Sequence, residues 1–162
     1  VPFYKTEEGA AATKAFIAAG HEVIFEATAI HAGDGTHARI DILRKVPGTD
    51  TWDMIEVKGS TGVKDYHQDD MSFQYRVFTG AGYRINHCFM MLIDNEYVRD
   101  GDVDPQRLFK PENITLLVWA KQPEVDGVIP ALTATLQSKE EPQEKIGARC
   151  FKPFDCDYTS HC

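Results

Sequence analysis

The sequence predicts an α/β fold built on a mixed sheet, and three observations predict it. An alanine-rich helical segment comes first. Three strand-like runs separated by tight turns follow. A helix then leads into the continuous apolar run NHCFMMLID, of the kind a buried parallel strand carries. The chain has 162 residues, enough for a real core. Its 43% hydrophobic and 26% charged residues are ordinary for a soluble globular protein. No apolar run approaches the ~20 residues needed to span a bilayer. No secretory leader is visible, so the expectation is a cytoplasmic protein without membrane attachment.

Residues 7–19 (EEGAAATKAFIAA) read as a helix, with Gly20 as its stop. Residues 22–30 (EVIFEATAI) read as a strand, AGDG as a turn, and 36–44 as the returning strand of a hairpin. VPGTD is a second turn, and 52–59 form a third strand. Residues 65–79 read as a helix, with Asp65 and Gln68 as a capping box and Gly80 and Gly82 at its end. Asp70, Phe73, Gln74 and Val77 share one of its faces by spacing. Residues 86–94 read as a buried strand, central and parallel to a neighbour. The stretch 113–121 fits strand or helix equally. Residues 124–138 read as helical, with Pro130 as a kink or a start. The polar stretch SKEEPQEK reads as a linker, so a core over 1–145 carries a cysteine-bearing segment over 146–162.

Two runs carry chemistry: ARIDILRK and WDMIEVKGS. Strand side chains alternate between faces. Glu56 and Lys58 therefore share a face, with Ile55 and Val57 opposite. On the preceding strand Arg39, Asp41 and Leu43 are expected on one face, and Ile40 and Ile42 on the other. Asp41 and Glu56 then converge across an antiparallel pair. Two carboxylates with open coordination positions suit Mg²⁺ or Mn²⁺, and the Val57 carbonyl can add an oxygen. Lys58 beside two carboxylates stays protonated, placed to polarise water and phosphate. Taken alone, Glu-x-Lys is a weak signal, since charged residues on one strand face are usually solvated.

The formal net charge of -8 argues against a general nucleic-acid coat, since phosphate binding favours basic surfaces. It leaves room for an enzyme with a local groove.

With Asp41 in ID, Glu56 and Lys58 in EVK, and Gln74-Tyr75 on the following helix, the chain resembles the PD-(D/E)XK superfamily in its RecB-like nuclease branch. EVKGSTGVKDYHQDDMSFQYRVFTGAGY, FEATA, NEYVRDGDVDPQRLF and GARCFKPFDCDYTSHC resemble an uncharacterised bacterial family with such a domain. The likeness runs from about Thr6 to Cys162. It implies a restriction-endonuclease-like core, with Asp41 and Glu56 as metal ligands, Lys58 as the catalytic lysine and Gln74 at the DNA or the site. RecB-like enzymes carry a tyrosine four residues after that glutamine. Phe78 stands there, and Tyr75 is the substitute candidate. The family's first-helix ligand has Glu8 as candidate, with Glu26 as a further acidic one. The implied activity is metal-dependent hydrolysis of DNA, single-stranded or at duplex ends. The alternative is an inactive nuclease-fold module that binds nucleic acid or a protein partner.

Cys150, Cys156 and Cys162 stand five residues apart in the last thirteen. Clustered thiols without a secretion signal point to metal or cluster ligation more than to disulfides. The tail is similar to the last three ligands of the 4Fe–4S cluster in related nucleases, which staples the chain ends together. Zinc is the alternative, with His161 or His87 as nitrogen ligand. Cys88, inside an apolar strand, reads as a buried free thiol. The chain begins without methionine and ends on a candidate ligand. The fourth thiolate and the first-helix ligand are therefore expected beyond its ends. His31, His37 and His67 read as surface or core histidines.

Overall fold

A computed structural model describes residues 1–2 and 4–162. The elements are α1 (Thr6–Ala18), β1 (Val23–Ile30), β2 (His37–Lys45), β3 (Trp52–Lys58), α2 (Asp65–Gly80), β4 (Ile85–Ile93), α3 (Pro105–Leu108), β5 (Phe109–Asn113) and α4 (Thr115–Gln137). The five strands form one mixed sheet in the order β1-β2-β3-β4-β5. Strands β1, β2 and β3 run antiparallel, β4 runs parallel to β3, and β5 returns antiparallel. This is the α/β architecture of a mixed sheet flanked by helices that the sequence predicts. It is consistent with a restriction-endonuclease-like fold.

The chain divides into two compact units, Val1–Val125 and Asp126–Cys162. The first holds the sheet. Its core gathers Ile24, Ile40, Leu43, Met54, Cys88, Met90 and Leu92 from the strands with Met71, Val77 and Phe78 from α2. Helix α1 lies close on β1. Gly9 leaves no room for a side chain, since a Cβ there would meet Thr28 Oγ1 at 2.9 Å. Thr13 Oγ1 accepts the Thr28 backbone N–H at 2.9 Å, which ties helix to strand.

Three local expectations are corrected. Helix α2 is not capped by Asp65 and Gln68. The Lys64 N–H donates to His67 Nδ1 at 3.2 Å, so the buried His67 ring takes that role. The ambiguous stretch 113–121 resolves at Asn113, the last residue of β5, and the helix from Thr115 runs unbroken to Gln137. Pro123 and Pro130 sit inside it, each withdrawing one amide from its ladder. The boundary between the two units falls between these prolines.

The third correction is strand parity. Along β2 the buried residues are Ala38, Ile40 and Leu43, so Arg39, Asp41 and Leu43 do not share one face as strict alternation demands. The cause lies on β1. Glu26 has φ +54, a left-handed backbone rare for a residue with a side chain. Phe25 pairs with Ile42 and Ala27 with Ile40, while the Glu26–Asp41 step drops out of the ladder. Burial on β1 shifts phase at the same place, from Ile24 to Ala27 and Ala29.

The second unit carries the end of α4 and a short 3₁₀ turn at Ala148–Cys150. Within it Cys156 N–H donates to the Cys150 carbonyl at 2.8 Å, and Cys162 N–H to the Tyr158 carbonyl at 3.1 Å.

Candidate active site

The site forms where β2 and β3 part. Their described pairing runs from Lys45–Trp52 to Ile42–Ile55 and ends there. One further step of that register sets Asp41 opposite Glu56. The Asp41 carboxylate takes over from the backbone: its Oδ2 accepts the Val57 N–H at 2.7 Å. A side chain thus takes up an amide next to the end of the ladder.

Glu56 is 7% exposed, a buried acid on an inner strand. Its Oε1 accepts from Lys58 Nζ at 2.7 Å. Its Oε2 is buried without a hydrogen-bond partner among the described residues. Burial pushes the Glu56 carboxyl above the usual carboxylate range. The Asp41 and Asp70 charges add to that push, and Lys58 opposes it. An unpartnered carboxylate oxygen is costly to bury, and a second carboxylate beside it adds to the cost of keeping Glu56 ionised.

Lys58 Nζ donates also to Asp70 Oδ2 at 2.7 Å, and Gln74 Nε2 donates to Asp70 Oδ1 at 3.1 Å. A chain therefore runs Glu56, Lys58, Asp70, Gln74 from the sheet to α2. Burial pulls the Lys58 ammonium down, but its bonds to Asp70 and Glu56 outweigh that and hold it above the ordinary lysine value. Lys58 thus stays protonated. The nearby His67 is lowered from the ordinary histidine value by burial and then by Lys58 and Lys64, which favours its neutral form.

A cavity of about 220 Å³ opens beside this chain, with Thr6, Thr28, His37, Arg39, Phe73 and Gln74 among its lining residues. Gln74 is 5% exposed, and its Oε1 has no hydrogen-bond partner among the described residues.

Asp41, Glu56, Lys58 and Gln74 therefore come together, with Val57 at the rim, part-exposed and bound through its amide. The remaining candidates go elsewhere. Glu8 is exposed on the first turn of α1 and pairs with Lys5 at 2.8 Å. Glu26 is turned outward by its left-handed backbone and lies 3.7 Å from Arg39. Tyr75 is half-buried against the core, with its hydroxyl pushed up by burial and hydrogen-bonded to Trp119. Phe78 is fully buried and packs on Tyr83 with ring centroids 5.3 Å apart.

Asp70 is the participant that sequence reasoning missed. Its placement four residues before Gln74, on the same helix face, was the available signal. Nothing local in the sequence says that this face meets Lys58.

All four cysteines are free thiols. Cys88 is fully buried in β4, where burial pushes its thiol up to about 12, so it is no thiolate near neutral pH. His87 contacts Asn86 and Asp53, and His161 contacts Glu141 at 2.6 Å. Among the described residues no group of three or more His, Cys, Asp or Glu side chains is gathered as a metal-ligand set. The three tail thiols as placed do not form a cluster site.

No protein-family model and no curated protein matches the chain. Solved structures similar to it include two of low identity. One is an alkaline exonuclease from Laribacter hongkongensis, 18% identical, with a TM-score of 0.38 over 82% of this chain and 71% of that one. The other is the structure of SSO0001, 13% identical, with a TM-score of 0.41 over 96% of this chain and 67% of that one.

Proposed function

We propose that this chain is a Mg²⁺- or Mn²⁺-dependent nuclease that hydrolyses DNA phosphodiester bonds, acting on single strands or duplex ends. The observation that carries this reading is Glu56. One of its oxygens holds Lys58, and the other is buried, has no hydrogen-bond partner among the described residues, and lies within reach of the Asp41 charge. Asp41 Oδ1, Glu56 Oε2 and the Val57 carbonyl are the oxygens that would hold the cation. When bound, it would supply Lewis acidity, lowering the pKa of water and polarising the phosphate.

The protein's own part is positioning and charge. Asp41 stays anchored through its bond to the Val57 amide, so its second oxygen keeps a fixed direction. Lys58, protonated and held, donates to the attacking water and to the phosphate oxygens as negative charge builds on them. Gln74 and the cavity beside it offer polar and apolar walls for the nucleotide flanking the scissile bond. The test is purified protein with Mn²⁺ and labelled single-stranded DNA. Lys58→Ala should lower cleavage by about a hundredfold or more, in line with the loss of one charged transition-state donor. Undiminished cleavage by this variant would remove the assignment.

A second reading keeps the fold and drops the chemistry: a binding module for nucleic acid or a protein partner. The pairing of the Glu8 carboxylate with Lys5 favours it. Mn²⁺ binding that depends on Asp41 and Glu56 argues against it.

Cys150, Cys156 and Cys162 are proposed as ligands of a structural 4Fe–4S cluster, with zinc as the alternative. The support is thiolate chemistry and close spacing. Loading would require the tail to rearrange. Broad absorbance near ~400 nm supports iron–sulfur, and colourless protein with stoichiometric zinc contradicts it.

A further inference from the structure

We infer that Asp70 is the positioning residue that keeps Lys58 at the site once Glu56 turns to a divalent cation, and that Gln74 acts through Asp70. The inference rests on the nuclease reading above. In the metal-free protein the Lys58 ammonium has two anchors at the same distance, Glu56 Oε1 and Asp70 Oδ2, each 2.7 Å away. They are not equivalent. Glu56 is buried on the sheet beside Asp41, where a cation would be held. Asp70 projects from α2 and is 42% exposed at its side chain.

A dication on Glu56 changes the balance. It neutralises the carboxylate that attracts Lys58, and it repels the ammonium directly. A lysine with four rotatable bonds and one weakened anchor leaves its place. Asp70 supplies the remaining attraction. Gln74 is the reason Asp70 can do so. The Gln74 amide donates to Asp70 Oδ1 at 3.1 Å, leaving Oδ2 aimed at Lys58. The glutamine on this helix thus sets the lysine two bonds away, in addition to facing the cavity.

The experiment follows Lys58 Cε by ¹³C relaxation in the full chain, metal-free and with Mg²⁺. Wild type should show an ordered Lys58 in both states. Asp70→Asn should keep it ordered without metal, because Glu56 still holds it, and release it with Mg²⁺. Asp70→Glu should restore the order. On DNA, Asp70→Asn should lower kcat by about ten- to a hundredfold at unchanged KM, the signature of a misplaced group. Gln74→Leu, which keeps the Asp70 carboxylate but frees it, should show a smaller release and serves if Asp70→Asn does not fold. An ordered Lys58 in Mg²⁺-loaded Asp70→Asn, or mobility that Asp70→Glu does not reverse, overturns the inference. Calorimetry of Mn²⁺ into wild type separates the two levels. No binding removes the nuclease reading and this inference with it. Binding with an ordered Lys58 in the Asp70→Asn variant removes the inference alone.

Discussion

Glu56 is a buried acid with one oxygen in a strong ion pair and the other without a hydrogen-bond partner among the described residues. Its contribution to the metal-free protein is a cost, because burial disfavours the ionised form. Glu56→Gln should therefore leave stability within about 1 kcal/mol of wild type, since Lys58 keeps its bond to Asp70. Thermal melting checks this. A variant that unfolds would show Glu56 to be part of the scaffold instead. At this scale the meeting of Glu56 and Lys58 was legible, because residues two apart on β3 share a face there. The backbone of Glu26 was not legible. A non-glycine residue in the left-handed region breaks alternation on β1 and on β2 opposite, and no residue pattern announces it. The Glu56-Lys58 pair needed only local geometry, whereas the Asp70 contact needed the packing of α2 on the sheet.

Among elements, the joint between the β1–β2 turn and α2 holds the helix that carries Asp70 and Gln74. Arg76 Nη2 donates to Asp34 Oδ2 at 2.6 Å, and Thr36 Oγ1 donates to Asp34 Oδ1 at 2.6 Å. Burial is the largest single influence on the Asp34 carboxyl and raises it, but the Thr36 and Arg76 bonds and the Arg76 charge together outweigh it and hold it well below its ordinary 3.8. The unfolded chain therefore binds more protons than the folded one in acid. The stabilisation is present above the ordinary value and is lost as pH falls through and below it. Asp34→Asn should cost about 1–2 kcal/mol at neutral pH, and less as acid is approached. Denaturant titration at pH 7 and pH 3 measures it. A cost that grows on acidification would contradict the sign.

The same joint has a close contact. A Cβ at Gly80 would lie 1.8 Å from a His31 ring carbon. The ring cannot swing away freely, because His31 Nδ1 accepts the Gly33 N–H at 3.0 Å and Ala32 N–H donates to the Gly80 carbonyl at 3.1 Å. Gly80→Ala should destabilise by about 2–3 kcal/mol, and His31→Ala should recover much of that in the double variant. Additive losses would place the strain elsewhere. The sequence marked Gly80 as a helix end, which is correct. The helix terminates there and Gly82 takes the left-handed backbone at φ +93. Its role as a seat for His31 depends on a partner forty-nine positions away. Likewise α4 was unreadable across Pro123 and Pro130, since each proline locally argues for a boundary that the folded chain does not take.

For the whole molecule, the mixed sheet was legible because its signals are strong: a turn-punctuated meander and an apolar central strand. The tail offered three thiols at even spacing, and among the described residues they are not gathered into a ligand set. The net charge of -8 predicts weak, salt-sensitive affinity for duplex DNA away from the site. The central claim is that Asp41, Glu56 and Lys58 make this chain a metal-dependent phosphodiesterase. The direct measurement is cleavage of end-labelled single-stranded DNA by the purified protein with Mn²⁺ and with EDTA, beside folded Glu56→Gln. The account predicts cleavage by wild type that requires Mn²⁺ and falls at least about a hundredfold in Glu56→Gln. Cleavage that persists in EDTA or in Glu56→Gln, or no cleavage by the wild type with Mn²⁺, would contradict it.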